Sequence, residues 1–296
     1  METGMNTLEQ VQSVMLVRKH QRQVGLLPRT SLRRALGSSW SPMPIREARA
    51  AWKQHRITYG LAPFAPALLT SPTGNVKLDK TQAYGLSLAP ANISGYNVCP
   101  YSTQGCRQAC LNTVGKGAYN TTQARRIVKT RFLYENPAAF ATILVHEIDA
   151  LYAKHGSDLR VRLNVLSDLR WEELLPQIFE RAPKAKFYDY TKDVERVLIG
   201  TPNNYTLAVS ASERMDEEHV RSFVELGFDV SVVFHTKRGQ ALPRTYAGQH
   251  VTDADKSDTW MLMRPRKDGR GRVGGLRAKG RAINDSSGFV KNPLGS

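Results

Sequence analysis

The chain has 296 residues, of which 41% are hydrophobic, so it can bury a sizeable core and is not expected to be disordered. No segment approaches the roughly 20 apolar residues that a membrane-spanning helix needs, and the first residues lack the apolar stretch of a secretory signal, so we expect no membrane association. The formal net charge of +16 favours DNA or RNA as a partner, because Lys and Arg side chains release counterions from phosphates. The alternative is a purely solubilising charge.

The first 60 residues form a predicted basic helical N-terminal extension. This segment, 1–60, contains three acidic and ten basic residues. Helices are predicted at 7–24 and 44–55, with Pro42 and Pro44 interrupting the chain between them. The extension is either an arm that follows phosphates or a helical segment packed on the main domain.

From about residue 80 to residue 290, short apolar segments alternate with amphipathic ones. This alternation predicts an α/β fold with right-handed βαβ units, built as a complete or partial (β/α) barrel. The chemistry of such a barrel lies at the carboxyl ends of its strands. No G-x-G-x-x-G follows the first strand, which argues against a dinucleotide-binding fold. The predicted strands are 84–89, 159–166, 186–190, 205–209 and 229–234, and the predicted helices are about 121–155, 171–181, 193–199 and 217–226.

The three cysteines of the chain lie together in the loop after the first predicted strand. Cys99, Cys106 and Cys110 have the spacing C-x6-C-x3-C, and their clustering indicates a metal centre in a reducing cytoplasm. Thiolates favour iron–sulfur clusters and zinc. We expect an iron–sulfur cluster of the 4Fe-4S type, because three ligands leave one position open. The alternatives are zinc with a distant fourth ligand such as His146 or His235, or no metal.

The cysteine loop, residues 86–117, resembles that of an uncharacterised phage family called "gene product 88". Four further segments match in the same order, at 160–168, 187–192, 251–258 and 274–290. The resemblance covers about residues 80–290 and implies an actinobacteriophage-type protein in the cytoplasm of a bacterial host, without an established activity. Relatives tend to carry His-Asp-Ser-Gly-Asp where this chain has Asn164-Val-Leu-Ser-Asp168, and Tyr where it has Leu111.

A wider resemblance is to radical S-adenosylmethionine enzymes, which also place three cysteines after the first barrel strand. Their usual spacing is C-x3-C-x2-C, and this chain has neither that spacing nor a Gly-Gly-Glu after the second strand. The likeness therefore supports the architecture, and S-adenosylmethionine is a possible cofactor without a recognisable binding motif.

Polar residues that follow the predicted strands are candidates for catalysis, because strand ends converge in a barrel. A string of three carboxylates near the C-terminus joins them, as a hard-cation site or as a group that orients a substrate or an Arg. Ordinary polar loops and a solvated acidic turn are the alternatives. The candidates are Asn164, Asp168, Tyr190, Lys192, Ser210, Asp253, Asp255 and Asp258.

Six basic residues are candidates for binding nucleic acid. Arg125 and Lys129 share a predicted helix face, being four residues apart, and Lys237 and Arg238 follow the fifth strand. The remaining two, Arg277 and Lys279, belong to the Gly- and Arg-rich segment 264–281, which is either a phosphate-binding surface or a flexible basic loop.

Three functions are compatible with these features. The first is an iron–sulfur enzyme acting on nucleic acid or a nucleotide. The second is a non-catalytic nucleic-acid-binding protein with a structural or redox-sensing cluster. The third is a zinc-stabilised module that binds a host protein.

Overall fold

The computed structural model of the chain describes residues 30–37, 39–71, 82–263 and 265–292, so the helix predicted at 7–24 lies outside the described residues. The strands are β1 (Leu69–Thr70), β2 (Gln82–Leu86), β3 (Leu159–Arg162), β4 (Lys186–Thr191), β5 (Tyr205–Ser210), β6 (Val230–Phe234), β7 (Thr245–Tyr246), β8 (Gln249–Asp253) and β9 (Val273–Arg277). The helices within the described ranges are α1 (Thr30–Ala35), α2 (Ile45–Thr58), α3 (Gln104–Gln108), α4 (Asn120–Glu135), α5 (Pro137–His155), α6 (Trp171–Leu174), α7 (Gln177–Arg181), α8 (Val194–Ile199) and α9 (Glu217–Glu225).

The strands form one mixed sheet in the order β1-β2-β3-β4-β5-β6-β9-β8-β7. Neighbours from β2 to β8 in this order are parallel, and the two edge strands pair antiparallel. The predicted α/β class is therefore confirmed. In the described part of the chain β1 and β7 are open edges, so the strand pairing does not close a barrel. The partial barrel stays a prediction.

Helices pack with their apolar residues buried, and the spacing of these residues in the sequence places them on one side of the helix. In α9, Val220, Phe223 and Val224 recur at helical spacing and are buried, while Asp216 caps the first turn by accepting from the His219 N–H. The buried segment of α5 runs from Ala139 to Val145 without a polar face. None of the helices in the described ranges combines the length and the apolar character needed to cross a bilayer.

The described part of the N-terminal extension packs on the main domain. Helix α2 buries Ala48, Trp52 and His55 along one face, and the Trp52 ring lies 4.7 Å from that of Phe132 in α4. Burying one tryptophan contributes about 2–3 kcal/mol. Residues 45–58 are therefore a packed element and not a free arm.

Two predicted helices are each divided by a proline. The stretch 121–155 is the pair α4 and α5, because Pro137 begins α5 and cannot continue α4. In the same way Pro176 separates α6 from α7 within 171–181.

The C-terminal quarter contains a strand where the sequence predicts a loop. Residues 273–277 of the basic segment are β9, between β6 and β8, so this part is not a flexible loop, and the phosphate-binding surface stays a prediction. A Cβ placed on Gly274 would overlap the Trp260 indole, and one on Gly275 would lie 2.5 Å from Val251. The glycines therefore allow close packing in the core. Glycine has little preference for strands, so the sequence pattern did not predict β9.

Candidate functional site

A cavity of about 390 Å³ lies at the carboxyl ends of the parallel strands. One side consists of the cysteine loop, and the other consists of residues that end or follow the strands β3, β4, β5 and β9. The fold therefore brings the cysteines and most of the candidate residues to one place, although this placement does not test their roles. The cavity is lined by Cys99, Cys106, Cys110, Asn164, Asp168, Tyr190, Lys192, Ser210, Asp258, Arg277 and Lys279, whereas Asp253 and Asp255 lie behind the last two.

Local hydrogen bonds position each cysteine. The Cys99 sulfur accepts from the Ala91 N–H at 3.3 Å and its thiol donates to the Leu166 carbonyl at 3.3 Å. Cys106 lies in α3, where the Thr103 hydroxyl accepts from the Cys106 N–H at 3.2 Å as the helix cap. Cys110 directly precedes the short 3₁₀ turn Leu111–Thr113. All three thiols are free and half-buried.

Glu213, in the loop after β5, attaches the cysteine helix to the sheet. Its carboxylate accepts from the Thr103 hydroxyl at 2.6 Å and from the Gly105 N–H at 2.8 Å. A Cβ added to Gly105 would lie 2.7 Å from the Phe289 Cβ and 2.9 Å from Glu213 Oε2. The helix is therefore held tightly between two distant segments. Sequence reasoning missed Glu213, and its only signal was its position just past a predicted strand.

The environment of the cysteines bears on which metal they fit. Burial raises the pKa of the Cys99 and Cys110 thiols, so a bound cation must supply the charge that stabilises their thiolates. Within the described residues, no group of three or more His, Cys, Asp or Glu side chains surrounds a single-ion position. Neither His146 nor His235 lines the cavity. The three cysteines line one cavity together.

Asp168 and Lys192 are held in place by buried hydrogen bonds. Asp168 accepts from the Thr191 hydroxyl at 2.7 Å and from the Lys192 N–H at 2.8 Å, and burial raises the pKa of its carboxyl. The Lys192 ammonium donates to the Ser210 hydroxyl at 2.7 Å and lies 4.9 Å from the centre of the Phe289 ring. These contacts hold the Lys192 side chain at the cavity.

Asn164 has a mainly structural set of contacts. Its side chain donates to the Leu169 carbonyl at 2.9 Å and accepts from the Ser167 hydroxyl at 2.8 Å. Its N–H donates to the carboxylate of Asp189, a fully buried residue that the sequence did not mark. Burial raises the pKa of Asp189 to about 7, and the Tyr205 hydroxyl donates to it at 2.7 Å.

Each carboxylate of the acidic string is paired with a base. Asp253 pairs with Arg277 at 3.0 Å, Asp255 with Lys279 at 2.6 Å, and Asp258 with Arg162 at 3.1 Å. Asp255 also lies 3.3 Å from Arg277, so the three acids are engaged by Arg162, Arg277 and Lys279 and do not converge on a shared hard-cation position.

Tyr190 belongs to the same group of contacts. The Arg162 guanidinium lies 4.7 Å from the centre of the Tyr190 ring, and the Trp260 indole N–H donates to its hydroxyl at 2.8 Å. Burial raises the pKa of this phenol, so the hydroxyl keeps its proton.

The predicted nucleic-acid-binding residues have different environments. Lys129 is buried and donates to the Leu68 carbonyl at 2.6 Å, and burial lowers its pKa to about 8. Arg125 is exposed, so the two do not form a shared cationic face as predicted from their spacing. Lys237 and Arg238 are exposed outside the cavity.

Two basic residues that sequence reasoning missed lie at the cavity mouth. Arg107 and Arg281 are exposed and line the cavity, and in the described part of the chain neither has a carboxylate within 4.0 Å. Arg107 donates to the Ser102 carbonyl at 2.7 Å. The sequence signal for Arg107 was its place within the cysteine loop, and that for Arg281 was its place at the end of the basic segment 264–281.

The comparisons agree with the order of motifs noted above. A family model described as gene product 88 matches residues 65–293, and the chain belongs to this family. No curated protein and no solved structure matches the chain. The family match supports the likeness to the phage proteins, and no finding supports the likeness to radical S-adenosylmethionine enzymes.

Proposed function

We propose that this member of the gene product 88 family holds an iron–sulfur cluster on Cys99, Cys106 and Cys110 and acts on or binds nucleic acid in its bacterial host. The observation that carries the proposal is the single cavity that the cysteines line together with polar residues of the sheet. It places every cysteine of the chain opposite Lys192 and Tyr190 at the carboxyl ends of parallel strands. Sites of α/β sheets typically occupy this edge.

The surroundings of the cysteines suit a cluster ligated by three thiolates. The Ala91 N–H that donates to the Cys99 sulfur would stabilise its thiolate, and the Arg126 guanidinium beside Cys110 favours the ionised form of that thiol. Glu213 keeps the helix that carries Cys106 in register with the sheet. A 4Fe-4S cluster held by Cys99, Cys106 and Cys110 would supply electron transfer and an iron open to a ligand.

The wall opposite the cysteines suits an enzyme better than a purely structural site. The Lys192 side chain donates to the Ser210 hydroxyl, and Tyr190 keeps its phenolic proton because burial raises its pKa. Both line the cavity, where they can donate hydrogen bonds or a proton to a bound substrate. The alternative is a non-catalytic nucleic-acid-binding or host-binding protein in which the cluster or a zinc ion is structural.

Anaerobic purification tests the cluster. We expect a brown protein with roughly four irons and four sulfides per chain and broad visible absorption. Cys106→Ala should remove most of the iron, whereas Gln108→Ala, an exposed change on the same helix, should retain it. A colourless protein with one zinc per chain would contradict the proposal and support the zinc alternative.

Adding S-adenosylmethionine to the reduced protein tests whether the cluster has an open iron that binds this cofactor. A change in the electron paramagnetic resonance spectrum of the cluster would support an open iron that binds this cofactor. An unchanged spectrum would remove S-adenosylmethionine from the proposal and leave other iron–sulfur chemistry or a structural cluster.

A further inference from the structure

We infer that the cavity mouth binds single-stranded nucleic acid, with Arg107 and Arg281 on the phosphates and one unpaired base entering the cavity. The inference rests on the nucleic-acid part of the proposed function and specifies where and in which form the polymer binds. It does not depend on the metal that the cysteines hold.

Charge pairing identifies these two arginines among the cavity cations. Arg162, Arg277 and Lys279 each lie within 3.3 Å of a carboxylate oxygen, so a phosphate would have to compete with an existing ion pair. Arg107 and Arg281 are exposed, and no carboxylate among the described residues lies within 4.0 Å of either. A phosphate there gains a charge-assisted contact without breaking one.

Exposed apolar side chains lie among these cations. Ile93 and Leu111 line the cavity and are 51% and 52% exposed, and Ile283, two residues after Arg281, is 50% exposed. Exposed large apolar residues beside cations match a ligand with both apolar faces and phosphates. A single strand presents its base faces in this way, whereas a duplex stacks them inside.

The depth of the cavity also favours an unpaired base. Its polar groups are recessed: Lys192 is 9% exposed and Ser231 is 3% exposed. A base within a duplex reaches such groups only after it is flipped out, which costs a few kcal/mol. Under the proposed function the cavity of about 390 Å³ is divided, with the cluster at the cysteines and the nucleobase at the part lined by Lys192 and Ser210. Lys192, Ser210 and the Phe289 ring provide hydrogen bonding and an apolar surface for it.

Fluorescence anisotropy tests the inference by comparing a labelled single strand with its matched duplex. The oligonucleotide has about 12 nucleotides and is used both as DNA and as RNA. We expect the single strand to bind at least about tenfold more tightly than the duplex at about 50 mM salt. Replacing both Arg107 and Arg281 by Ala should weaken binding about tenfold. The plot of log affinity against log salt concentration should also become less steep, because binding then releases about one to two fewer counterions.

The matched control is the double variant Lys237→Ala and Arg238→Ala, which removes the same charge from an exposed position outside the cavity. It should change affinity less than about threefold. Circular dichroism of both double variants establishes that they are folded. Competition with polyglutamate should be weak, because it offers charge without bases.

The outcomes separate the inference from the proposed function. If no nucleic acid binds at about 50 mM salt, the nucleic-acid part of the proposed function fails and the inference fails with it. If nucleic acid binds but the duplex is preferred, or both double variants behave alike, only the inference is overturned. Equal displacement by polyglutamate would also overturn it and point to an acidic protein segment. Iron analysis of the same samples judges the cluster separately.

Discussion

The two walls of the cavity differ in how their charges are compensated. In the paired wall, formed by Arg162, Asp258, Arg277 and Lys279 with Asp253 and Asp255 behind them, each cation meets a carboxylate. In the thiol wall, formed by the cavity-lining residues of 90–113, burial raises the pKa of the Cys99 and Cys110 thiols, and no carboxylate of the described residues lies within 4.0 Å of Arg107. The cations of the paired wall are therefore compensated within the chain, whereas Arg107 in the thiol wall is not compensated by a described carboxylate.

The paired wall continues below the cavity as a buried network around Arg196. This guanidinium is 2% exposed, forms two 2.7 Å hydrogen bonds with Glu172 and donates to the Tyr205 hydroxyl at 2.7 Å. It also lies 3.6 Å from Asp168 at the cavity floor. The buried hydrogen bonds and ion pairs of Arg196 therefore connect the segments that carry the candidate site.

The largest effect should come from breaking this network. Arg196→Met leaves Glu172 and Asp168 buried without their cation, so we expect a loss of about 3–5 kcal/mol in the free energy of unfolding, measured by denaturant titration. The control is Arg181→Met, which removes a surface ion pair with Asp149 and should cost less than about 1 kcal/mol. Equal losses in the free energy of unfolding would show that the buried network around Arg196 contributes no more to stability than a surface ion pair.

A smaller effect is expected from the thiol wall. Gly105→Ala forces a methyl group against Phe289 and Glu213, which should cost about 1–3 kcal/mol and displace the helix that carries Cys106. Thermal unfolding and the rate of thiol labelling measure the two consequences. The exposed change Gln104→Ala in the same helix should alter neither. An unaffected Gly105→Ala protein would mean that the contact with Glu213 is loose.

The smallest effect tests the difference between the walls directly. Asp255→Asn removes the carboxylate of Lys279 while its amide oxygen can still accept from the Arg277 N–H. Lys279 becomes available to phosphate, so affinity for a single-stranded oligonucleotide should rise about two- to fivefold at low salt. Asp268→Asn, which frees Arg266 at the surface, is the matched control. Reduced affinity would show that Asp255 itself contributes to binding.

Local patterns in the sequence were sufficient for much of the fold. Periodicity identified β2 to β6 and the helices between them, and the rule that parallel strands end at one edge placed Asp168, Lys192 and Ser210 beside the cysteines. The patterns missed β9 because the packing of Trp260 against Gly274 depends on residues distant in the chain.

The environments of single side chains were decided by the tertiary structure. Helix spacing predicted a cationic face for Lys129, but burial against Leu68 depends on a segment that packs on the helix from elsewhere. The same holds for Arg277 and Lys279, which looked free in a basic segment and are paired with Asp253 and Asp255 across two strands.

By itself the sequence determined the α/β class, the family, the net charge and the clustering of the three cysteines, because these depend on composition, local periodicity and short spacings. Only the tertiary structure decided that the strand pairing within the described ranges leaves the sheet open, that Glu213 holds the cysteine helix and that Arg107 and Arg281 lie at the cavity mouth with no described carboxylate within 4.0 Å. Pairing and burial are contacts between distant segments, and no local pattern encodes which partner each charge meets.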